Sequence, residues 1–140
     1  MERTLIYELL VWKEKENRKP LVLKGVRQCG KTYLLKDFGN RYYDNVAYFN
    51  FEETDSLISV FEKDYDTKRI ILELELFLGK SIKPGATLII LDEIQECGRA
   101  LTAMKYFCEN APEYHIVCAG SLLGIALQKQ LSFPVGKVDF

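Results

Sequence analysis

The spacing of apolar positions alternates along the chain between a helical and a strand-like period. From Thr4 to Lys15 the apolar residues Leu5, Ile6, Leu9, Leu10 and Trp12 recur at helical intervals, and the charged stretch Lys13–Lys19 followed by Pro20 ends that helix. Leu21-Val22-Leu23 is a short apolar run of the kind a buried strand carries. Tyr33, Leu34, Leu35 and Phe38 return to helical spacing, with Gly39 as the expected stop. Asn45–Phe51, aromatic and β-branched, reads as a second strand closed by the acidic turn Glu52-Glu53. Asp55 or Ser56 then offers a cap for a short helix through Phe61.

The stretch from Arg69 to Gly79 fits two periods. Leu72, Leu74, Leu76 and Leu78 alternate as in a strand, whereas Ile70, Ile71, Leu74, Phe77 and Leu78 fit one helical face. Leu and Glu favour helix, Gly79 suits a C-terminal stop, and a parallel sheet needs a crossover at this point; helix is the expectation. Pro84-Gly85 marks a turn, and Thr87–Leu91 is apolar on both faces, as a fully buried strand requires. Ala100, Leu101, Met104, Phe107 and Cys108 form a helical face ended by Pro112. Ile116–Ala119 is a further strand leading into Gly120-Ser121, Leu122–Leu131 reads as a helix, and another strand could begin near Val138. Strands alternating with helices predict a doubly wound α/β domain with a mainly parallel sheet, whose ligands bind at the carboxyl ends of its strands.

At 140 residues, the chain suits one domain with a real core. A net charge of −1 offers no global field to recruit nucleic acid or an anionic membrane, and no nucleic-acid partner can be named from it. No apolar run approaches the ~20 residues that span a bilayer, and the N-terminus turns charged too early for a signal peptide. Cys29, Cys97, Cys108 and Cys118 lack metal-ligand spacing and read as free thiols of a reducing cytoplasm. His115, the single histidine, is expected to face solvent at the entrance of a strand.

The first candidate chemistry lies at Gly25-Val26-Arg27-Gln28-Cys29-Gly30-Lys31-Thr32, which satisfies G-x-x-x-x-G-K-[ST] at every fixed position. Gly25 and Gly30 permit a backbone that wraps a phosphate with its N–H groups pointing inward. The following helix, through Tyr33, adds the positive end of its dipole. Lys31 brings a charge to the outer phosphates, and Thr32 offers a hydroxyl to Mg²⁺. The strand before the loop and the helix after it supply the context this motif needs. Cys29 occupies one of its variable positions.

The second lies about 60 residues on, where Leu88-Ile-Ile-Leu91 is followed by Asp92-Glu93. The apolar run buries a strand and carries both carboxylates to its carboxyl end, beside the phosphate loop. Asp92 can hold Mg²⁺ through a water, and Glu93 is placed to polarise an attacking water.

Together the two motifs resemble those of prokaryotic AAA-type P-loop ATPases, which carry Gly-x-Arg-Gln-x-Gly-Lys-Thr and Leu-Asp-Glu-Ile-Gln; here these are Gly25–Thr32 and Leu91–Gln95. Ala119-Gly120-Ser121 matches a third family segment. The resemblance implies a three-layer P-loop NTPase sandwich, ATP and Mg²⁺ as ligands, and hydrolysis of ATP. By the same resemblance Ser121 is a polar sensor of the γ-phosphate; as a helix N-cap before Leu122 it has an equally simple role, and both can hold. Family members continue into a helical lid and further C-terminal domains. The expectation is therefore an ATPase core over residues 1–140, truncated at its fifth strand, that works with missing C-terminal domains or as a homo-oligomer. Phe133-Pro-Val-Gly-Lys137 resembles a segment in which the family carries Arg; Lys137 keeps the charge without the planar fork.

Other classes fit less well. A GTPase needs Asp-x-x-Gly after the third strand, where Asp92 is followed by Gln95, and a guanine reader that Gly136-Lys137-Val138-Asp139 does not supply. Adenine is then expected to be held by apolar contacts from the segment before Pro20 and from the last helix. A small-molecule kinase shares the loop, but Asp-Glu after the strand points to activated water. The open alternative is a nucleotide-dependent switch or scaffold with little hydrolysis. Arg27 and Arg99 are the arginines near the site, the first shaping the loop and the second starting a helix.

Overall fold

The computed structural model describes residues 2–16, 18–25 and 29–121. It contains, in order, α1 (Glu2–Glu14), β1 (Leu21–Gly25), α2 (Cys29–Tyr42), β2 (Asn45–Asn50), α3 (Asp55–Val60), α4 (Thr67–Leu78), β3 (Thr87–Asp92), a 3₁₀ turn (Ile94–Glu96), α5 (Gly98–Asn110) and β4 (His115–Ser121). The four strands pair in parallel in the order β1-β4-β3-β2. From β1 the chain crosses to the far edge and then returns one strand at a time. Right-handed crossovers in opposite directions place their helices on opposite faces. Accordingly, α2 and α1 cover one face, with Leu9, Trp12, Leu35 and Phe38 packed on Leu21, Leu88, Ile90, Val117 and Ala119. The elements α3, α4 and α5 cover the other, over Val22, Ala47, Phe49, Ile89, Leu91, Ile116 and Cys118. The result is the doubly wound parallel sheet that the alternation predicts, in the three-layer sandwich that the resemblance implies.

All six residues of β3 are buried, as its uninterrupted apolar run requires of a central strand. The ambiguous stretch is helical: Asp66 caps α4 by accepting from the Lys68 N–H, and Gly79 ends it in the left-handed conformation at φ 81°. Leu72 and Leu76 are its exposed side.

Four local expectations are corrected. Helix α2 does not stop at Gly39 but runs on to Tyr42. Gly39 faces the sheet, where a Cβ would lie 2.4 Å from Val46 Cγ2 and 3.1 Å from Leu88 Cδ2, so the glycine serves close packing. Thr54, not Asp55 or Ser56, is the N-cap of α3, and it makes no side-chain capping bond. Cys108 is only half-buried, and Ala103 takes its place in the buried face of α5. His115 does not face solvent; it is 7% exposed, and its Nδ1 meets the Tyr43 hydroxyl at 2.6 Å. The helix expected over Leu122–Leu131 and the segment Ser132–Phe140, with Lys137, lie outside the described residues.

Candidate functional site

The carboxyl end of β1 leads directly towards α2, and β3 ends beside it with Asp92. Residues 88, 90 and 92 alternate towards the face that α2 covers, since Leu88 and Ile90 belong to that core. Asp92 therefore points at the first turn of α2. Thr32 Oγ1 donates to Asp92 Oδ2 at 2.8 Å. Two motifs 60 residues apart are thus brought into direct contact.

Asp92 is 6% exposed, and a carboxylate so buried needs partners. Besides Thr32, the Tyr48 hydroxyl donates to Oδ2 at 2.7 Å and the Glu93 backbone N–H to Oδ1 at 2.9 Å. Tyr48 stands on β2, two register pairs below Asp92 and so on the same face: Tyr48 is opposite Ile90, and Asn50 is opposite Asp92. Asn50 Nδ2 in turn donates to the Tyr48 hydroxyl at 3.3 Å, and the Glu52 N–H donates to Asn50 Oδ1 at 2.8 Å. The Lys36 ammonium, one turn beyond Thr32 on α2, sits 3.9 Å from the centroid of the Tyr48 ring. Burial, reinforced by the bond to Asp92, raises the Tyr48 pKa well above the usual phenol range, so it stays a donor.

Glu93 is 9% exposed and holds φ 53° and ψ 45°, the left-handed region, where the chain leaves β3 for the 3₁₀ turn. A non-glycine residue there costs of order 1–3 kcal/mol, and such strain gathers at functional sites. The turn lets Gln95 Nε2 donate to Glu93 Oε1 at 2.7 Å.

The donor set suits a hard cation. The Thr32 hydroxyl and the Asp92 carboxylate are oxygen donors already in contact, with the carboxylate largely shielded from bulk water. Tyr33 is exposed at the outer side of α2. Gly25 ends β1 opposite Ser121 at the end of β4, next to the same site. Cys29, Gly30 and Lys31 open α2. The side chains of Cys29, Lys31 and Ser121 lie outside the described residues, as do Val26, Arg27 and Gln28. Arg99 does start α5, and its Nε donates to the Phe61 carbonyl at 2.9 Å while its guanidinium lies 5.0 Å from the Tyr65 ring centroid. Those contacts tie it to the end of α3.

Sequence reasoning gave no role to Tyr48, Asn50, Lys36 or Gln95. The only signal for the first two was their even spacing on β2, which also places Val46 on that face. Among the described residues no group of histidine, cysteine, aspartate and glutamate side chains forms a further metal cluster.

The described helices include none long and apolar enough to cross a membrane. No curated protein matches the chain. Among solved structures it is similar to the Walker-type ATPase paby2304 of Pyrococcus abyssi, at TM-score 0.58 and 17% identity over 96% of this chain. The chain spans 50% of that protein's length, and at this identity the likeness carries the fold alone. A family model described as an AAA domain matches residues 17–140. With that match spanning both motifs and the parallel sheet joining them, the chain belongs to the AAA domain family of P-loop ATPases.

Proposed function

We propose that the chain is an ATP-binding core that holds Mg-ATP on Gly25–Tyr33 and hydrolyses it. The observation that carries this reading is the 2.8 Å contact between Thr32 and Asp92, which joins the phosphate loop to the acidic end of β3. In this reading, the backbone N–H groups of Gly25, Val26, Arg27, Gln28, Cys29 and Gly30 and the start of α2 cradle the phosphates. Lys31 pairs with the outer ones. Thr32 and Asp92 hold Mg²⁺, which when bound neutralises charge on the phosphate oxygens. Glu93 orients a water and accepts its proton, and Ser121 meets the γ-phosphate. A cytoplasmic setting belongs to the same reading, since Cys97, Cys108 and Cys118 are free thiols. So do partners beyond this stretch, either further domains or copies of the chain.

One contact favours a second reading, a nucleotide-dependent switch that hydrolyses little. The Glu93 carboxylate already accepts from Gln95 at 2.7 Å, a bond that takes up part of the accepting capacity a water would use. The two readings differ in the rate of the chemical step, not in binding.

Binding is tested by thermal melting with millimolar ATP and Mg²⁺. A ligand present at about 100 times its Kd adds ~2.7 kcal/mol of stability. Wild type is expected to melt higher with Mg-ATP than without, and higher with ATP than with GTP. Lys31→Ala is expected to lose the shift. Equal melting of wild type and variant with Mg-ATP means the phosphate site does not function.

A further inference from the structure

The Asp92 carboxylate could rotate freely about its terminal bond if only Thr32 touched it, because sp³–sp² torsions are broad. Its orientation is instead fixed from two sides. The Glu93 N–H holds Oδ1, and the Tyr48 hydroxyl holds Oδ2 at 2.7 Å, the same oxygen that receives the Thr32 hydroxyl. Tyr48 is built to make that one bond. A phenol has one proton to give. Asn50 donates to the Tyr48 oxygen from the other side, so the proton is directed at Asp92. The Glu52 N–H sets the orientation of the Asn50 amide by holding its Oδ1. Lys36 closes over the ring from α2, the helix that also carries Thr32. A half-buried aromatic kept only for packing would need neither the directed hydroxyl nor the amide behind it.

We propose that Tyr48 is a positioning residue for Asp92, fixing the carboxylate oxygen that it shares with Thr32 in the orientation a divalent cation needs. The inference rests on the Mg-ATP reading above. Tyr48 does not touch substrate; it acts through Asp92. Residues that orient metal ligands in this way typically change metal affinity ~10- to 100-fold when removed.

The test is the Mg²⁺ concentration giving half of the ATP-induced melting shift, measured on the full chain at saturating ATP. Tyr48→Phe keeps the ring and its packing and removes only the hydroxyl. It is expected to raise that midpoint by about tenfold while the full shift returns at high Mg²⁺. Asn50→Ala keeps the Tyr48 hydroxyl but frees its proton to turn, and is expected to raise the midpoint a few-fold; it also serves should Tyr48→Phe not fold. Tyr106→Phe, a ring stacked on Tyr65 at 4.7 Å on the opposite layer, is expected to leave it unchanged. An unchanged midpoint in Tyr48→Phe, with or without a lower ligand-free melting temperature, would overturn the positioning role and leave packing as its function. Failure of the underlying reading looks different: wild type itself would then show no Mg²⁺-dependent shift with ATP.

Discussion

Two buried polar clusters sit at opposite ends of the same sheet, and each pairs a tyrosine hydroxyl with a titratable group. At the carboxyl end, Tyr48 meets Asp92; near the amino end, Tyr43 meets His115. They are built for opposite purposes. The Asp92 cluster converges three hydrogen-bond donors on one carboxylate, next to a loop of phosphate-binding type. The His115 cluster removes charge. Its ring is packed edge-on by Trp12 at 5.8 Å and Tyr43 at 5.3 Å. Burial first, and then the positive charges of Arg18 and Lys13, lower the His115 pKa to about 4. Burial raises that of Tyr43. With both groups neutral, the tautomer of the imidazole sets which of the phenol oxygen and Nδ1 donates. Trp12 Nε1 donates to the Lys19 carbonyl at 2.7 Å, and Arg18 reaches both the Lys13 and Pro112 carbonyls. Helix α1, all of it ahead of the residues the family match covers, is fastened to the sheet there. The difference teaches that burial of a titratable group does not by itself mark a site. What sets the Asp92 cluster apart is that its donors converge on one carboxylate and that a family motif adjoins it.

The contrast breaks most sharply at Glu93. Glu93→Gln keeps size and hydrogen bonding but removes the base. Single-turnover hydrolysis is expected to fall by ~10²-fold or more, with Mg-ATP binding and ligand-free melting little changed. Unchanged hydrolysis would move the assignment to the switch reading.

The amino-end cluster should respond to acid and not to ligand. Between pH 6.5 and about 4 the unfolded imidazole takes up a proton that the folded one refuses. Stability is therefore full above pH 6.5 and declines as pH falls towards 4, by on the order of 2–3 kcal/mol in all. His115→Gln can still bond to the Tyr43 hydroxyl, as donor or acceptor, and does not titrate. Its denaturation midpoint is expected to vary less between pH 6.5 and 5 than that of wild type, with the Mg-ATP shift retained. Parallel pH profiles for the two proteins would remove this account of His115.

The smallest effect concerns the layer between the clusters. Gly39→Ala gains helix propensity of roughly 1 kcal/mol but drives a methyl against Val46. A net loss of about 1 kcal/mol in chemical denaturation is expected, at neither cluster's expense. A more stable variant would show that α2 has room to shift away from the sheet.

Much of this organisation was legible in the residues alone. Uninterrupted apolar runs at Leu21–Leu23 and Thr87–Leu91 announce buried parallel strands because no polar face is left for water. The spacing of Gly25, Gly30, Lys31 and Thr32, and the Asp92-Glu93 pair after such a run, announce the family's two motifs, which the fold brings into contact. What the sequence could not decide is anything that depends on which side chains meet across strands. Gly39 looks like a helix stop until β2 and β3 are placed beneath it. His115 looks like a surface residue until α1 folds over it. Tyr48 is one more aromatic on a strand until the parallel register of β2 against β3 sets its hydroxyl on Asp92. Local periodicity fixes elements and motifs, since it is carried by neighbours in the chain. Register and layer contacts are carried by residues far apart in it, so only the tertiary structure decides them.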